Sequence, residues 1–378
     1  MIIGIDATNI NSGGGLTHLV GILNNYNSKH KIILWAPKKT LLHINSSRHI
    51  YKVHYKIFEK NYYLRYLWIY SNLDKELKKH RCDILFSPGG SLISNFKPSI
   101  TISRNMLPFI YKELFRFGFS FTTLKLLMLN FFQKISFKKA NGLIFLNEFA
   151  SNFFHNKNYS IPKYFKIIPH GVNEIFRNNN KIYKDISSYN FNDPFEIVYL
   201  SKIDLYKHQW NVIDAIGSLI LNKKLPIRLT LIGSTNAFTH KKLQNCLKKW
   251  PDSENWLKLT GDLDTQSIFD ILSKSDLGVY ASTCENLPNI LLEKMVSSLP
   301  IACSNIQPMT DMLKHNAKYF DAEDSSSIYD AIYSLILDRQ FREKSSKENY
   351  NSLLNYSWNK TSKDTFNFIE FIKSNYNE

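Results

Sequence analysis

The chain has 378 residues, 44% of them hydrophobic, which is enough for two domains with cores of their own. Its net charge of +16 is lopsided: residues 1–190 carry 27 Lys and Arg against 9 Asp and Glu, and the remainder 21 against 23. A first half this basic is expected to face a polyanion, whether nucleic acid, an anionic membrane or a phosphorylated acceptor. No helix-turn-helix, RRM or zinc signature supports nucleic acid, and the four cysteines (Cys82, Cys246, Cys284, Cys303) lack metal or redox spacing. The apolar run Leu126 to Phe132 is too short to span a bilayer, and Met1-Ile-Ile-Gly-Ile-Asp6 enters a strand rather than a signal peptide. A cytoplasmic protein with reduced thiols is the expectation.

Ile2 to Asp6 reads as the first strand of an α/β domain, followed by Asn9-Ile-Asn-Ser-Gly-Gly-Gly-Leu-Thr-His18 and a helical stretch from Leu19. Three glycines between strand and helix allow close approach to an anion near a helix N-terminus, though such a run serves equally as a plain turn. His18 either faces a cleft or packs. Further strands are expected at Lys31–Trp35, Ile84–Phe86, Ile100–Ser103 and Gly142–Phe145, with Ser87-Pro-Gly-Gly90 and Arg104-Asn105 at ligand-bearing C-terminal ends. A short strand ends in the turn at Ile168-Pro-His-Gly-Val172, and the polar stretch from Arg177 to Pro194 reads as a linker.

A second α/β series begins at Phe195–Leu200, with strands at Arg228–Gly233, Leu257–Thr260, Leu277–Tyr280 and Pro300–Cys303. Helices are expected at Trp210–Leu221, Lys241–Trp250, Thr265–Ser273 and Pro288–Ser297, then Ser325–Leu337 and Trp358–Ser374. The repeated strand-then-helix order implies parallel sheets covered on both faces.

The organising stretch is Ser282-Thr-Cys-Glu-Asn-Leu-Pro-Asn-Ile-Leu-Leu-Glu-Lys-Met295. Pro288 suits a helix start, so Glu285 lies in the loop before the helix and Glu293 about one turn inside it. Bare backbone N–H groups between two acids suit a polar ligand that also carries negative charge. Lys202 and Lys207, in the loop after the first strand of the second half, are able to neutralise a diphosphate.

Taken in order, these segments resemble the retaining glycosyltransferases of family 4, with the GT-B fold of two facing Rossmann-like domains. Ile168-Pro-His-Gly-Val172 resembles that family's "IPNGV" turn, and Ser201-Lys-Ile-Asp-Leu-Tyr-Lys207 its "GR…K" loop, with Lys202 in place of arginine. Leu231-Ile-Gly233, Leu259-Thr-Gly261, Glu285 to Glu293, Leu299-Pro-Ile301 and Tyr356-Ser-Trp358 follow in the family's order. The resemblance implies an N-terminal acceptor-binding domain over 1–176, a nucleotide-sugar-binding domain over 195–355, and a helix at 356–378 returning to the first.

It further implies that Glu285 and the N–H groups of Asn286 and Leu287 meet the donor sugar, with Pro288 lining the same place, and that Glu293 accepts from the ribose. Lys202 and Lys207 would stabilise the leaving diphosphate, with Gly14, Gly15 and Gly233 also on the donor side. The donor would be a GDP- or UDP-sugar. No metal cofactor is expected, lysines acting in place of a divalent ion, and the anomeric configuration would be retained. The family's acceptor-side histidine is replaced by Arg104-Asn105, and His170 stands where Asn is common. Arg104, Asn105 and His18 are the acceptor-side candidates.

Between Phe109 and Lys139, phenylalanines alternate with lysines and arginines. Two readings fit: a core helix with a solvated charged face, or a surface that docks on anionic lipid. The second matches an acceptor such as a polyprenyl-diphosphate-linked oligosaccharide, and a bacterial enzyme on the cytoplasmic face of the inner membrane. The expected function is hexosyl transfer in O-antigen, capsule or lipopolysaccharide synthesis. The competing classes are a GT-B epimerase or glycan phosphorylase, and a non-catalytic carbohydrate-binding relative.

Overall fold

The structure, a computed structural model, describes residues 1–27, 29–178 and 180–376. The chain forms two compact units: Met1–Leu114 with Phe119–Gly171 and the segment from Tyr356 onward, and Phe115–Gly118 with Val172–Asn355.

The first unit is built on seven parallel strands: β1 (Ile2–Asp6), β2 (Lys31–Trp35), β3 (Ile50–Val53), β4 (Ile84–Ser87), β5 (Ser99–Ser103), β6 (Gly142–Phe145) and β7 (Tyr164–Ile167). Their order is 3-2-1-4-5-6-7. β4, β5 and β6 are buried along their whole length, as strands covered on both faces are; β4 and β6 are largely apolar, while β5 alternates Ile100 and Ile102 with buried Ser99, Thr101 and Ser103. The helix Trp358–Ser374 belongs to this unit and buries Phe366, Phe368, Ile369 and Ile372. Its start is capped by Ser357, whose Oγ accepts the Lys360 N–H at 3.2 Å. Gly171 is required there: a Cβ on it would stand 2.2 Å from the Trp358 backbone nitrogen.

The second unit repeats the plan with β8 (Phe195–Leu200), β9 (Ile227–Ile232), β10 (Leu257–Leu259), β11 (Leu277–Tyr280), β12 (Ile301–Ser304) and β13 (Lys318–Phe320), ordered 10-9-8-11-12-13. Helices Gln209–Lys223, Ala237–Leu247, Thr265–Lys274 and Asn289–Val296 connect successive strands. In both sheets the strand order reverses beside the first strand, between β1 and β4 and between β8 and β11. Open parallel sheets place ligands in the crevice at that reversal, outside the C-terminal strand ends.

The structure departs from the sequence reading in three places. β3, β13 and several helices, among them Tyr62–Trp68, Asp74–Lys79, Glu148–Asn156 and Arg339–Ser352, were not expected. The stretch read as a linker groups with the second unit and is tied to it by hydrogen bonds. The Asn178 N–H donates to the Val296 carbonyl at 2.9 Å, Tyr183 Oη to the Ser298 carbonyl at 2.7 Å, and Arg342 to the Lys184 carbonyl at 2.7 Å.

The third departure concerns the helix Phe121–Lys139, whose polarity is inverted. Its buried side holds Thr123, Leu126, Asn130, Gln133, Ser136 and Phe137. Asn130 donates to the Pro108 carbonyl at 2.8 Å, and Ser136 Oγ accepts the Leu92 N–H at 2.8 Å. Phe121, Leu124, Leu127, Met128, Phe131, Phe132 and Ile135 face outward, with Phe121 69% and Phe131 60% exposed. A core helix with a solvated charged face is therefore ruled out, because the apolar residues are the exposed ones. Tyr66 lies 6.1 Å from Phe132, which extends the aromatic surface to the helix Tyr62–Trp68, where Tyr63 and Leu67 are also exposed.

Candidate active site

In the second unit the loops following β8 and β11 meet at the reversal of the sheet. After β8 the chain makes a short 3-10 turn, Leu205–Lys207, capped by Asp204, whose Oδ1 accepts the Leu205 N–H at 2.8 Å. His208 then adopts a left-handed φ of +48° and starts the next helix. The Thr283 N–H donates to the Tyr206 carbonyl at 2.8 Å and so ties this turn to the loop after β11. The consequence is an ion pair between buried Lys207 and Glu285.

Two tyrosines at the strand ends fix that pair. Tyr280 Oη donates to Glu285 Oε1 at 2.7 Å and accepts from Lys207 Nζ at 3.2 Å. Tyr199 Oη donates to the Lys207 carbonyl at 2.5 Å. Burial together with the Glu285 charge pushes both phenols well above their ordinary pKa, so they remain hydrogen-bond donors at any physiological pH. Glu285 Oε2 has no partner among the described residues and is left to accept from a ligand.

The helix Asn289–Val296 starts directly after Pro288, with Asn286, Leu287 and Pro288 buried beside its N-terminus. Its first residue, Asn289, has a buried Oδ1 with no partner among the described residues. Four residues on, and so on the same helix face, Glu293 carries a recessed carboxylate for which no ion pair or side-chain hydrogen bond exists among the described residues. Burial raises its pKa to about 7. A raised carboxyl stabilises the folded chain fully below the unfolded value of 4.5, and that contribution disappears as pH rises through about 7. A ligand whose hydroxyls donate to the ionised form reverses the penalty, so its binding strengthens as pH rises through the same range.

The other residues expected on the donor side are placed unevenly. Gly233 follows β9 with φ +141°, and a Cβ on it would stand 2.2 Å from the Ser201 carbonyl oxygen. Glycine is what allows the loop carrying Lys202 and Lys207 to pass so close. Lys202 itself points outward, 61% exposed, with Nζ 3.8 Å from Asp204. Of the two lysines, only Lys207 is brought against Glu285. The acids of Asp262-Leu-Asp264 are both occupied by backbone: Asp262 accepts the Ser234 N–H at 2.9 Å and Asp264 the Ser267 N–H at 2.8 Å.

In the first unit Gly13 to Asn24 form a helix whose N-cap, Ser12, makes no side-chain cap, so its first N–H groups stay open. Gly15 is buried against Arg104, and a Cβ there would lie 2.3 Å from Nη2. Arg104 donates to the Pro88 carbonyl at 3.0 Å, and burial draws its pKa down to about 10. A cation held at a helix N-terminus makes this corner receptive to an anion. Asn105 is exposed and caps its own turn, accepting the Leu107 N–H at 3.0 Å.

His18 is fully buried, with Nδ1 2.8 Å from Nδ1 of His170 and the Trp358 ring 6.0 Å away. Burial first, then Arg104, holds His170 down to about 3, and burial keeps His18 well below its ordinary value. Both rings stay neutral and pack. Asp6, Asn9, Tyr62, Tyr66, Ser87 and Gly89 line a cavity of about 170 Å³ at the reversal of the first sheet.

Sequence reasoning missed Tyr199, Tyr280, Asn289 and the buried Lys294. The tyrosines end apolar strands and read as core. A lysine amid Leu291, Leu292, Met295 and Val296 was the one visible irregularity.

Residues 182–352 match the family model described as "Glycosyl transferases group 1". No curated protein is detectably similar in sequence. Among solved structures, sucrose-phosphate synthase from Thermosynechococcus elongatus superimposes with TM-score 0.79 at 11% identity, covering 99% of both chains. HepE from Anabaena in complex with UDP-glucose gives 0.72 at 17% identity, over 99% of this chain and 100% of that one. WaaG, a glycosyltransferase involved in lipopolysaccharide biosynthesis, gives 0.71 at 13% identity, over 97% and 99%. The shared architecture is the GT-B fold.

Proposed function

We propose that this chain, a glycosyltransferase of the GT-B type, is a retaining, metal-independent enzyme of family 4. It moves a hexose-type sugar from a nucleoside-diphosphate sugar to a lipid-linked oligosaccharide of a surface polysaccharide. The observation that carries this is the Lys207–Glu285 pair at the sheet reversal, with an unpartnered Glu293 carboxylate on the helix that follows. A UDP-sugar is favoured over a GDP-sugar because HepE, similar along its whole length, was crystallised with UDP and with UDP-glucose.

Each residue then has a task. Glu293 accepts from the ribose hydroxyls, and Glu285 Oε2 from the donor sugar. Lys207, aided by Lys202, offsets negative charge growing on the diphosphate as the C1–O bond breaks. The acceptor oxygen bonds to C1 on the face the diphosphate leaves, and its proton passes to the departing phosphate oxygen. Within the first unit, the open N–H groups of Gly14 and Gly15 with Arg104 alongside suit an anion, and the cavity lined by Asp6 and Tyr62 suits an acceptor's hydroxyls. Incubation with UDP-glucose and acceptor is expected to release UDP and give a product whose anomeric proton, read by NMR, keeps the donor's configuration. Inversion would reject the mechanism, and isomerised donor or released sugar phosphate would favour an epimerase or a phosphorylase.

The inverted helix Phe121–Lys139 supports a place on the cytoplasmic face of a bacterial inner membrane. It and the helix Tyr62–Trp68 carry five cations and no acid among their exposed aromatic residues, which suits anionic headgroups with phenylalanines just beneath. Vesicles containing anionic lipid are expected to carry the protein upward on flotation, and Lys134/Lys138/Lys139→Glu to abolish this. Equal flotation with neutral lipid, or no effect of the triple change, would exclude membrane docking by this face.

A further inference from the structure

Behind the Lys207–Glu285 pair, the helix Asn289–Val296 buries a lysine that the chemistry above does not use. Lys294 is fully buried, and its stem runs over Gly278 of β11, with Cδ 3.1 Å from where a Cβ would stand. Glycine inside a strand marks such a close approach. Nζ donates to the Val279 carbonyl at 2.6 Å and lies 5.3 Å from the Tyr199 ring centre and 5.0 Å from that of Tyr280. No carboxylate forms an ion pair with it among the described residues. Cys303, Lys207, Glu293 and Glu285 are the charged and titratable groups around it besides the two tyrosines, and burial lowers its pKa to about 7.

An unpaired buried ammonium is costly, and a Met or Leu would fill the space more cheaply. What the lysine adds is positive charge facing two aromatic rings. Those two rings end in the hydroxyls that hold the Lys207 carbonyl, Lys207 Nζ and Glu285 Oε1. We infer that Lys294 is a positioning residue: it fixes the rings of Tyr199 and Tyr280 and, through them, the orientation of the Lys207–Glu285 pair. The inference rests on the assignment of that pair to the reacting centre. Lys294 itself touches no substrate.

The test compares Lys294→Met and Lys294→Gln with Tyr199→Phe/Tyr280→Phe and with the combined changes, at a pH of about 6.5 where the ammonium predominates. Gln keeps a donor for Val279 and loses the charge, so it decides the matter if the Met variant does not fold. Turnover is expected to fall about tenfold or more while UDP affinity stays within about twofold, and Lys294→Met added to Tyr199→Phe/Tyr280→Phe to be no slower than that pair of changes alone. Unchanged turnover in a folded variant, or losses that multiply when both hydroxyls are already gone, would overturn the inference. Carbon-13 tyrosine NMR provides a readout independent of turnover: the Tyr199 and Tyr280 ring signals should shift in both variants. If the wild type transfers no sugar, the transferase reading fails alone, and unchanged ring signals would still overturn the role of Lys294.

Discussion

Lys207→Ala is expected to lower turnover by about 10²–10³-fold, the usual cost of removing one group aimed at charge that develops in a transition state. The lysine is buried and makes an ion pair with a glutamate that is itself largely buried, in surroundings where a charge acts more strongly than in water. Removing it also leaves the Glu285 carboxylate short of its cation, which for a buried pair costs about 3–5 kcal/mol of stability. Glu285→Gln should retain more stability than Lys207→Ala, because Tyr280 and Lys207 still meet an acceptor oxygen. The two changes combined are expected to be little worse than the poorer single, since they dismantle one unit. Steady-state kinetics and thermal unfolding of the three variants check this. Turnover within about threefold of wild type for Lys207→Ala would remove the lysine from the reacting centre.

Gly233→Ala should have the largest structural effect of any single methyl added near the site. The new Cβ would stand 2.2 Å from the Ser201 carbonyl oxygen and 2.9 Å from the Lys202 nitrogen, both backbone atoms that no rotamer change can clear. Alanine is also strained at φ +141°. Strain of this kind costs about 1–3 kcal/mol before the clash is counted. The loop it displaces carries Lys202 and Lys207, so nucleotide affinity should fall together with stability. Gly15→Ala makes an informative contrast, because there the nearest atoms are the far end of Arg104, which is able to swing aside. A Gly233→Ala protein with wild-type melting temperature and nucleotide affinity would contradict the loop geometry described here.

Much of the fold was legible because strands of covered parallel sheets are written as short, largely apolar runs between polar stretches: β1, β8 and β11 stand out at once. β3 and β13 did not, being short edge strands with half-exposed residues such as Tyr51 and Lys318. The helix Arg339–Ser352 was invisible for a related reason. Its buried residues are Arg342, Ser345, Ser346 and Asn349, so no apolar period marks it.

Glu285 and Glu293 were singled out by their spacing within one strand–loop–helix unit, and the structure places the first in the loop after β11 and the second on the helix Asn289–Val296. Spacing alone could not separate Lys202 from Lys207. That distinction depends on a 3-10 turn and a left-handed His208, which turn one lysine inward and leave the other in solvent. The tyrosines and Lys294 were hidden by their burial, since a side chain that completes a site from behind looks like core in sequence.

The central claim, a nucleoside-diphosphate sugar held by Glu293 beside Lys207, is tested most directly by thermal shift against UDP, GDP, ADP and dTDP, with and without magnesium. A ligand present at a hundredfold excess over its dissociation constant stabilises the fold by ~2.7 kcal/mol. UDP should give the largest shift, independent of magnesium. Its affinity should strengthen from pH 6 to pH 8, as Glu293 ionises near its raised value of about 7. Glu293→Gln should bind more weakly and lose that pH dependence. Stabilisation by none of the four nucleotides, or by UDP equally in wild type and Glu293→Gln, would contradict the account.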